Sequence, residues 1–230
     1  MRYKGVLFDL YGTLVPPFKQ EVSRTNLVSM ARVLGVSVPS FLALWQETFQ
    51  ERETGVFDGL QANIRYVLHK MNQLADQTTV AQAETIRKAF SRDSLVPRPE
   101  ALPILDWLRS RRIPTALVSN ASVQIPGVWL ETELSKHFHV AIFSSEIGKA
   151  KPASDMYIRA CDGLGLNPKQ CLYIGDVSDM ELGGATRVGL DAVLIRHPGD
   201  DLDDPFRPEA KHWSGRQISS LMDVMNLMGS

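Results

Sequence analysis

The chain has 230 residues, enough to bury a sizeable core and to hold a main domain with a smaller insertion. Its 25 basic and 26 acidic residues leave a formal net charge of -1, so nothing draws it generally to nucleic acid or an anionic membrane, and any anion site must be local. With two cysteines (Cys161 and Cys171), no secretory pattern and no apolar run near the roughly 20 residues of a membrane span, a cytoplasmic protein with reduced thiols is expected.

Gly5 to Phe8 reads as a short buried strand, followed by a Gly12-Thr13 turn and the Pro16-Pro17 breaker. Leu27, Met30, Ala31 and Leu34 then recur at helical spacing up to Gly35, and Ser37 before Pro39 marks the next helix start. Leu42, Trp45 and Phe49 predict a second helix, Leu60, Ile64, Val67 and Leu68 a third, and Ala83, Ile86 and Phe90 a fourth. With no strand pattern among them, residues 16–95 are expected to form an inserted all-helical cap. Trp45, spaced with Leu42 and Phe49, reads as core, so it and the nearby Arg52 and Glu53 are left out of the predicted site.

Pro97-Arg98-Pro99 marks a return to helices alternating with short apolar runs, the signature of parallel βαβ units. Strands are expected at Thr115 to Val118, His139 to Phe143, Cys171 to Ile174 and Ala192 to Ile195. Helices are expected near 100–112, from Ser154 to Leu164, from Glu181 to Arg187, and from Ile218 through Met225. The fold class is therefore α/β, a Rossmann-like parallel sheet flanked by helices, with residues 1–15 and 96–230 as core and 16–95 as cap. The acidic run from Gly199 to Pro205 reads as a solvated loop, and the five histidines show no metal-ligand spacing with acids.

Four polar positions fall just after apolar strands, where open α/β sheets bind ligands: Asp9, Ser119, Lys151 and Asp176. A carboxylate, a hydroxyl, an ammonium and further acids are the parts that phosphoryl transfer needs. Singly, each occurs in many α/β proteins for structural reasons. In order, however, Asp9-Leu10-Tyr11-Gly12-Thr13, Val118-Ser119-Asn120, Lys151-Pro152 and Gly175-Asp176 through Glu181 resemble the four motifs of the haloacid dehalogenase-like (HAD) hydrolase superfamily.

That resemblance implies a HAD core and an enzyme hydrolysing a small phosphorylated metabolite. It makes Asp9 the nucleophile, with Asp9, the Tyr11 carbonyl, Asp176 and Glu181 around Mg2+. Ser119, helped by the Asn120 backbone, would hold the transferred group, Lys151 would pair with Asp9 and with the substrate's charge, and Thr13 would fix the loop. Most phosphatases of the superfamily carry an aspartate where this chain has Tyr11, and use it as general acid and base. A tyrosine can donate a proton but is a poor base at neutral pH.

Two alternatives stay open. The 2-haloacid dehalogenases of the superfamily carry tyrosine at this position and use no metal, but they have Leu-Trp-Arg-Gln in the cap, where this chain reads Leu44-Trp45-Gln46-Glu47. A non-catalytic binding or regulatory protein would keep the fold after losing the acid. The retained Asp176 and Glu181 favour the metal-dependent phosphatase, because carboxylates gathered together without a cation repel one another.

Overall fold

A computed structural model describes residues 3–17, 19–200 and 212–229. Its centre is a six-stranded sheet of β1 (Gly5–Phe8), β2 (Thr115–Ser119), β3 (Val140–Phe143), β4 (Cys171–Gly175), β5 (Asp191–Ile195) and β6 (Arg216–Ile218), in the order β3-β2-β1-β4-β5-β6. Every pairing is parallel, with Phe8 opposite both Leu117 and Ile174. β1 is therefore central, and the chain turns to opposite sides of it at β2 and β4. That reversal opens a crevice beyond the strand ends.

The pleat sends alternate residues of β1 to opposite faces. Val6 and Phe8 pack with Ile104, Leu105 and Leu108 of α6 (Ala101–Ser110) and with Val224 and Met228 of α11 (Val224–Gly229). On the other face, Leu7 packs with Met156, Tyr157 and Ala160 of α9 (Ser154–Gly163) and with Leu182 and Ala185 of α10 (Glu181–Arg187). Both cysteines are buried in that second layer as free thiols. With helices on both faces, the strands read as apolar runs rather than alternating ones.

Between β1 and α6 the chain forms α1 (Gln20–Val33), α2 (Val38–Glu47), α3 (Phe49–Glu53), α4 (Gly59–Lys70) and α5 (Gln77–Asp93). These share a core of their own, including Met30, Phe41, Trp45, Ile64, Val67 and Val80. Asp76 starts α5 by accepting a hydrogen bond from the Thr79 N–H at 2.8 Å. Two short helices complete the chain, α7 (Ile125–Trp129) and α8 (Ser144–Ile147), and α3 packs against α8. Beside that contact Gly55 has φ +68, and a Cβ there would lie 1.9 Å from the Ser145 carbonyl oxygen.

The structure corrects two sequence expectations. The helix read through Leu42, Trp45 and Phe49 breaks at Thr48, whose ψ of 18° turns the chain into α3 and leaves Phe49 43 % exposed. Ile218 belongs to β6 rather than to the C-terminal helix, which begins only at Val224 after a short 3-10 turn. A three-residue edge strand with only one buried side chain carries too little periodicity to be read. Residues 201–205 of the predicted acidic loop lie outside the described residues, and Asp200 is ion-paired with Arg98.

Candidate active site

Asp9 directly follows β1, and its N–H continues the ladder by donating to the Ile174 carbonyl at 2.9 Å. Its side chain points into the crevice edge and is 3 % exposed. Lys151, in the loop after α8, reaches it with Nζ 2.5 Å from Oδ1, and the same ammonium lies 2.6 Å from Oε2 of Glu181. Glu181 is in turn held by the Tyr173 hydroxyl at 2.6 Å and the Val177 N–H at 3.0 Å. Gly175 makes room for this carboxylate, since a Cβ there would sit 2.2 Å from Glu181 Oε1.

Asp176 follows β4 and opens a tight turn in which Val177, Asp179 and Met180 all have positive φ (72°, 55° and 53°). For the β-branched Val177 this is a costly backbone state, on the order of 1–3 kcal/mol. Polar contacts hold the turn. Ser178 N–H donates to Asp176 Oδ1 at 3.0 Å, and Asn120 Nδ2 donates to Asp179 Oδ2 at 2.9 Å. Asn120 also accepts the Lys151 N–H at 2.7 Å, so one side chain ties together the loops after β2, α8 and β4.

Burial is the largest influence on the Asp9 carboxyl and pushes it up to about 6, against the stabilising charge of Lys151 and with the added repulsion of Asp176. Burial, then the Asp9 charge, drives Glu181 well above the carboxylate range, while the acids around Lys151 keep its ammonium protonated despite burial. Asp9, Asp176 and Glu181 each offer one oxygen, all within 4.8 Å of one another, and Asp9 Oδ2 is buried with no hydrogen-bond partner among the described residues. Three carboxylates and one ammonium leave this cluster short of positive charge. An all-oxygen donor set with an orphaned carboxylate oxygen fits a small hard divalent cation.

Thr13 and Asn120 both lie in the loops around Asp9. Thr13 is fully buried with its hydroxyl unpartnered, and its carbonyl lies 3.1 Å from His197 Nε2. It braces the loop beneath Asp9 and is not on the cavity wall. The Asn120 side chain is held by neighbouring loops, and Asn120 also lines the cavity. Tyr11 does reach the cavity, with its hydroxyl 3.1 Å from Ser94 Oγ, and burial pushes its phenol up to about 12. It stays protonated at neutral pH and cannot act there as a base.

The crevice opens into a cavity of about 1160 Å³ between the sheet edge and the helical segment. Asp9, Ser119, Lys151 and Asp176 line its floor, and Trp45, Arg52, Glu53 and Arg87 line the helical wall. Sequence reasoning left these wall residues out. Trp45 is indeed packed in the helical core, yet it also faces the cavity. A signal for Arg87 was present: Val80, Ala83 and Arg87 fall on one stripe of α5, and all three are buried.

The chain belongs to the haloacid dehalogenase-like hydrolases, whose family model matches residues 3–189. It is thus an enzyme of the hydrolase class. Among characterised relatives, it is 28% identical to the glyceraldehyde 3-phosphate phosphatase of Methanopyrus kandleri, over 84% of each chain. It is 25% identical to a phosphoglycolate phosphatase of Shigella boydii (88% of this chain, 86% of the relative). It is 28% identical to the ribulose-1,5-bisphosphate 5-phosphatase of Halopiger xanaduensis (97% and 98%).

The same fold occurs in a HAD family enzyme from Bacteroides thetaiotaomicron solved with magnesium and inorganic phosphate (TM-score 0.64, 19% identity, 89% and 100% coverage). It also occurs in the L-2-haloacid dehalogenase of Xanthobacter autotrophicus (TM-score 0.61, 18% identity, 99% and 98% coverage). No helix among the described residues is long and apolar enough to cross a membrane.

Proposed function

We propose that the protein is a magnesium-dependent phosphatase of a small phosphorylated metabolite, with residues 16–95 as a cap domain over a core of 1–15 and 96–230. One observation carries this reading: a buried carboxylate at the crevice, Asp9, is bound to Lys151 and stands within reach of two further acids. The phosphatase names of the sequence relatives support it.

Asp9, the Tyr11 carbonyl, Asp176 and Glu181 would hold Mg2+, which when bound offsets the negative charge of the acids and of the phosphate. Lys151 keeps the Asp9 carboxylate oriented and ionised, and its ammonium faces the incoming phosphate. An Asp9 oxygen attacks phosphorus, the bond to the leaving oxygen breaks, and a phosphoaspartate forms. The Ser119 hydroxyl takes a phosphoryl oxygen. Water then attacks that phosphorus, freeing Asp9 and inorganic phosphate.

The leaving oxygen needs a proton and the attacking water must lose one. Glu53, on the cavity wall, makes no hydrogen bond or ion pair among the described residues, and burial and the nearby Asp179 charge push its carboxyl up to about 7. Glu53 therefore takes the acid–base role that Tyr11 cannot fill. Hydrolysis of p-nitrophenyl phosphate tests the reading. Turnover is expected with Mg2+ and not with EDTA, and Asp9→Asn should lower it by about four orders of magnitude while circular dichroism stays unchanged. Persistent turnover in that variant removes Asp9 from its role.

Tyr11 favours a second reading, carbon-centred dehalogenation, because halide departs without a proton. Metal-independent chloride release from 2-chloropropionate would establish it in place of the first.

A further inference from the structure

Arg52 and Arg87 are 3 % and 6 % exposed, and neither forms an ion pair among the described residues. Arg52 donates from Nη1 to the Trp45 carbonyl (2.5 Å) and to Thr48 Oγ1 (2.7 Å). Arg87 donates from Nη1 to Ser23 Oγ (3.2 Å) and Asn26 Oδ1 (3.3 Å). All four acceptors are neutral. The Nε of each arginine is buried and unpartnered, and no hydrogen bond is made by either Nη2 among the described residues.

Both guanidiniums lie over the ring of Trp45, 4.5 Å (Arg52) and 5.8 Å (Arg87) from its centroid, and Arg87 also lies 4.6 Å from the centroid of Phe90. Burial and then the charge of Arg87 pull Arg52 down to about 9, with Glu53 and Glu51 opposing, and burial pulls Arg87 down to about 10. Two like charges held out of water with neutral partners cost free energy until an anion joins them. Both line the cavity that Asp9 lines, and neither is paired with Asp9, Asp176 or Glu181.

We propose that Arg52 and Arg87 form a second anion site on the helical wall, so that the preferred substrate carries a carboxylate or second phosphate at the end remote from the scissile phosphate. The proposal rests on the phosphatase reading for the identity of the scissile group, but the anion site itself does not depend on that reading. An anion seated in the cavity against both arginines would offset their charges and accept from their unused N–H donors, which point-charge recognition by lysine could not match. The position differs from that of the dehalogenase arginine, which directly follows the cap tryptophan; Gln46 stands there in this chain.

The test uses matched substrates on the wild-type protein with Mg2+. Phosphoglycolate is compared with 2-hydroxyethyl phosphate, and propane-1,3-diyl bisphosphate with 3-hydroxypropyl phosphate. The pair showing the larger preference tells whether the second anion is a carboxylate or a phosphate. In at least one pair the member with the anionic tail should have a kcat/KM higher on the order of 10- to 100-fold, as for a buried charged hydrogen bond. Arg52→Met and Arg87→Met should each collapse that ratio toward one, with Arg→Lys restoring part of it.

A second readout needs no turnover: calorimetric titration of malonate into the EDTA-treated protein should show binding that Arg87→Met weakens by roughly 10-fold or more. Equal kcat/KM within both pairs on an active enzyme overturns the anion site and leaves the phosphatase reading standing. Arginine-dependent malonate binding without hydrolysis of any phosphate keeps the site and overturns the phosphatase reading. If a methionine variant fails to fold, the wild-type substrate pairs still decide the question.

Discussion

The two walls of the cavity treat charge in opposite ways. On the sheet side, Lys151 touches Asp9 and Glu181, Tyr173 and Val177 complete Glu181, and Asn120 ties the loops together. On the helical side, two guanidiniums and the Glu53 carboxyl are buried or half-buried without a counter-ion in contact among the described residues. That network, lacking only the cation its surplus carboxylates call for, holds reacting groups in place before substrate binds. A wall with unspent donors gains its partners from the ligand, which is why the proposed nucleophile sits on the first surface and the proposed anion site on the second.

Lys151→Met would break that contrast most sharply, since it leaves carboxylates buried together with no cation. It is expected to destabilise the metal-free protein by about 3–5 kcal/mol in chemical denaturation and to abolish turnover. An unchanged midpoint would show that the acids shed their charge without the ammonium. Next in size is Tyr11→Asp, which supplies an acid on the sheet side. It should raise turnover of alkyl phosphates by about 10²-fold, and of aryl phosphates, whose leaving groups need little protonation, far less. Equal gains, or none, on both would show that proton delivery is not what Tyr11 limits.

The remaining expected effect is at Glu53. Its carboxyl is raised, so it is protonated below about 7 and loses the proton as pH rises through that value. Alkyl phosphate turnover that needs this acid should therefore fall above pH 7. Glu53→Gln should lower alkyl phosphate turnover by about 10²-fold, the low end for a general acid, and remove that limb of the pH profile. A limb that survives in the variant assigns the proton to another group.

The sheet wall was legible in the sequence because its residues sit at strand ends, where an apolar run stops at a polar residue: Asp9 after Phe8, Ser119 closing Val118, and Asp176 after Gly175. Those local patterns placed the strands as well, except β6, whose Arg216 and Gln217 mask it as loop. The helical wall was not legible, because a charged residue on a helix ordinarily marks a solvated face. Arg52 follows a break at Thr48 that no glycine or proline announces, so its direction depends on packing between α2, α3 and α8. Glu53 gains its significance from Asp179 and Lys151, more than 90 residues away in the chain, and no spacing rule joins such positions.

Gly55 is where the helical segment comes down on the sheet-bearing part of the molecule, flush against the Ser145 carbonyl. Adding even one methyl there would wedge the two parts open like a pebble in a hinge. Arg52 and Glu53, two and three positions upstream, would be lifted away with it. The bare backbone at this point thus lets the helical wall come down so closely over the sheet wall, and a residue with no side chain comes to govern the fit of the whole chamber.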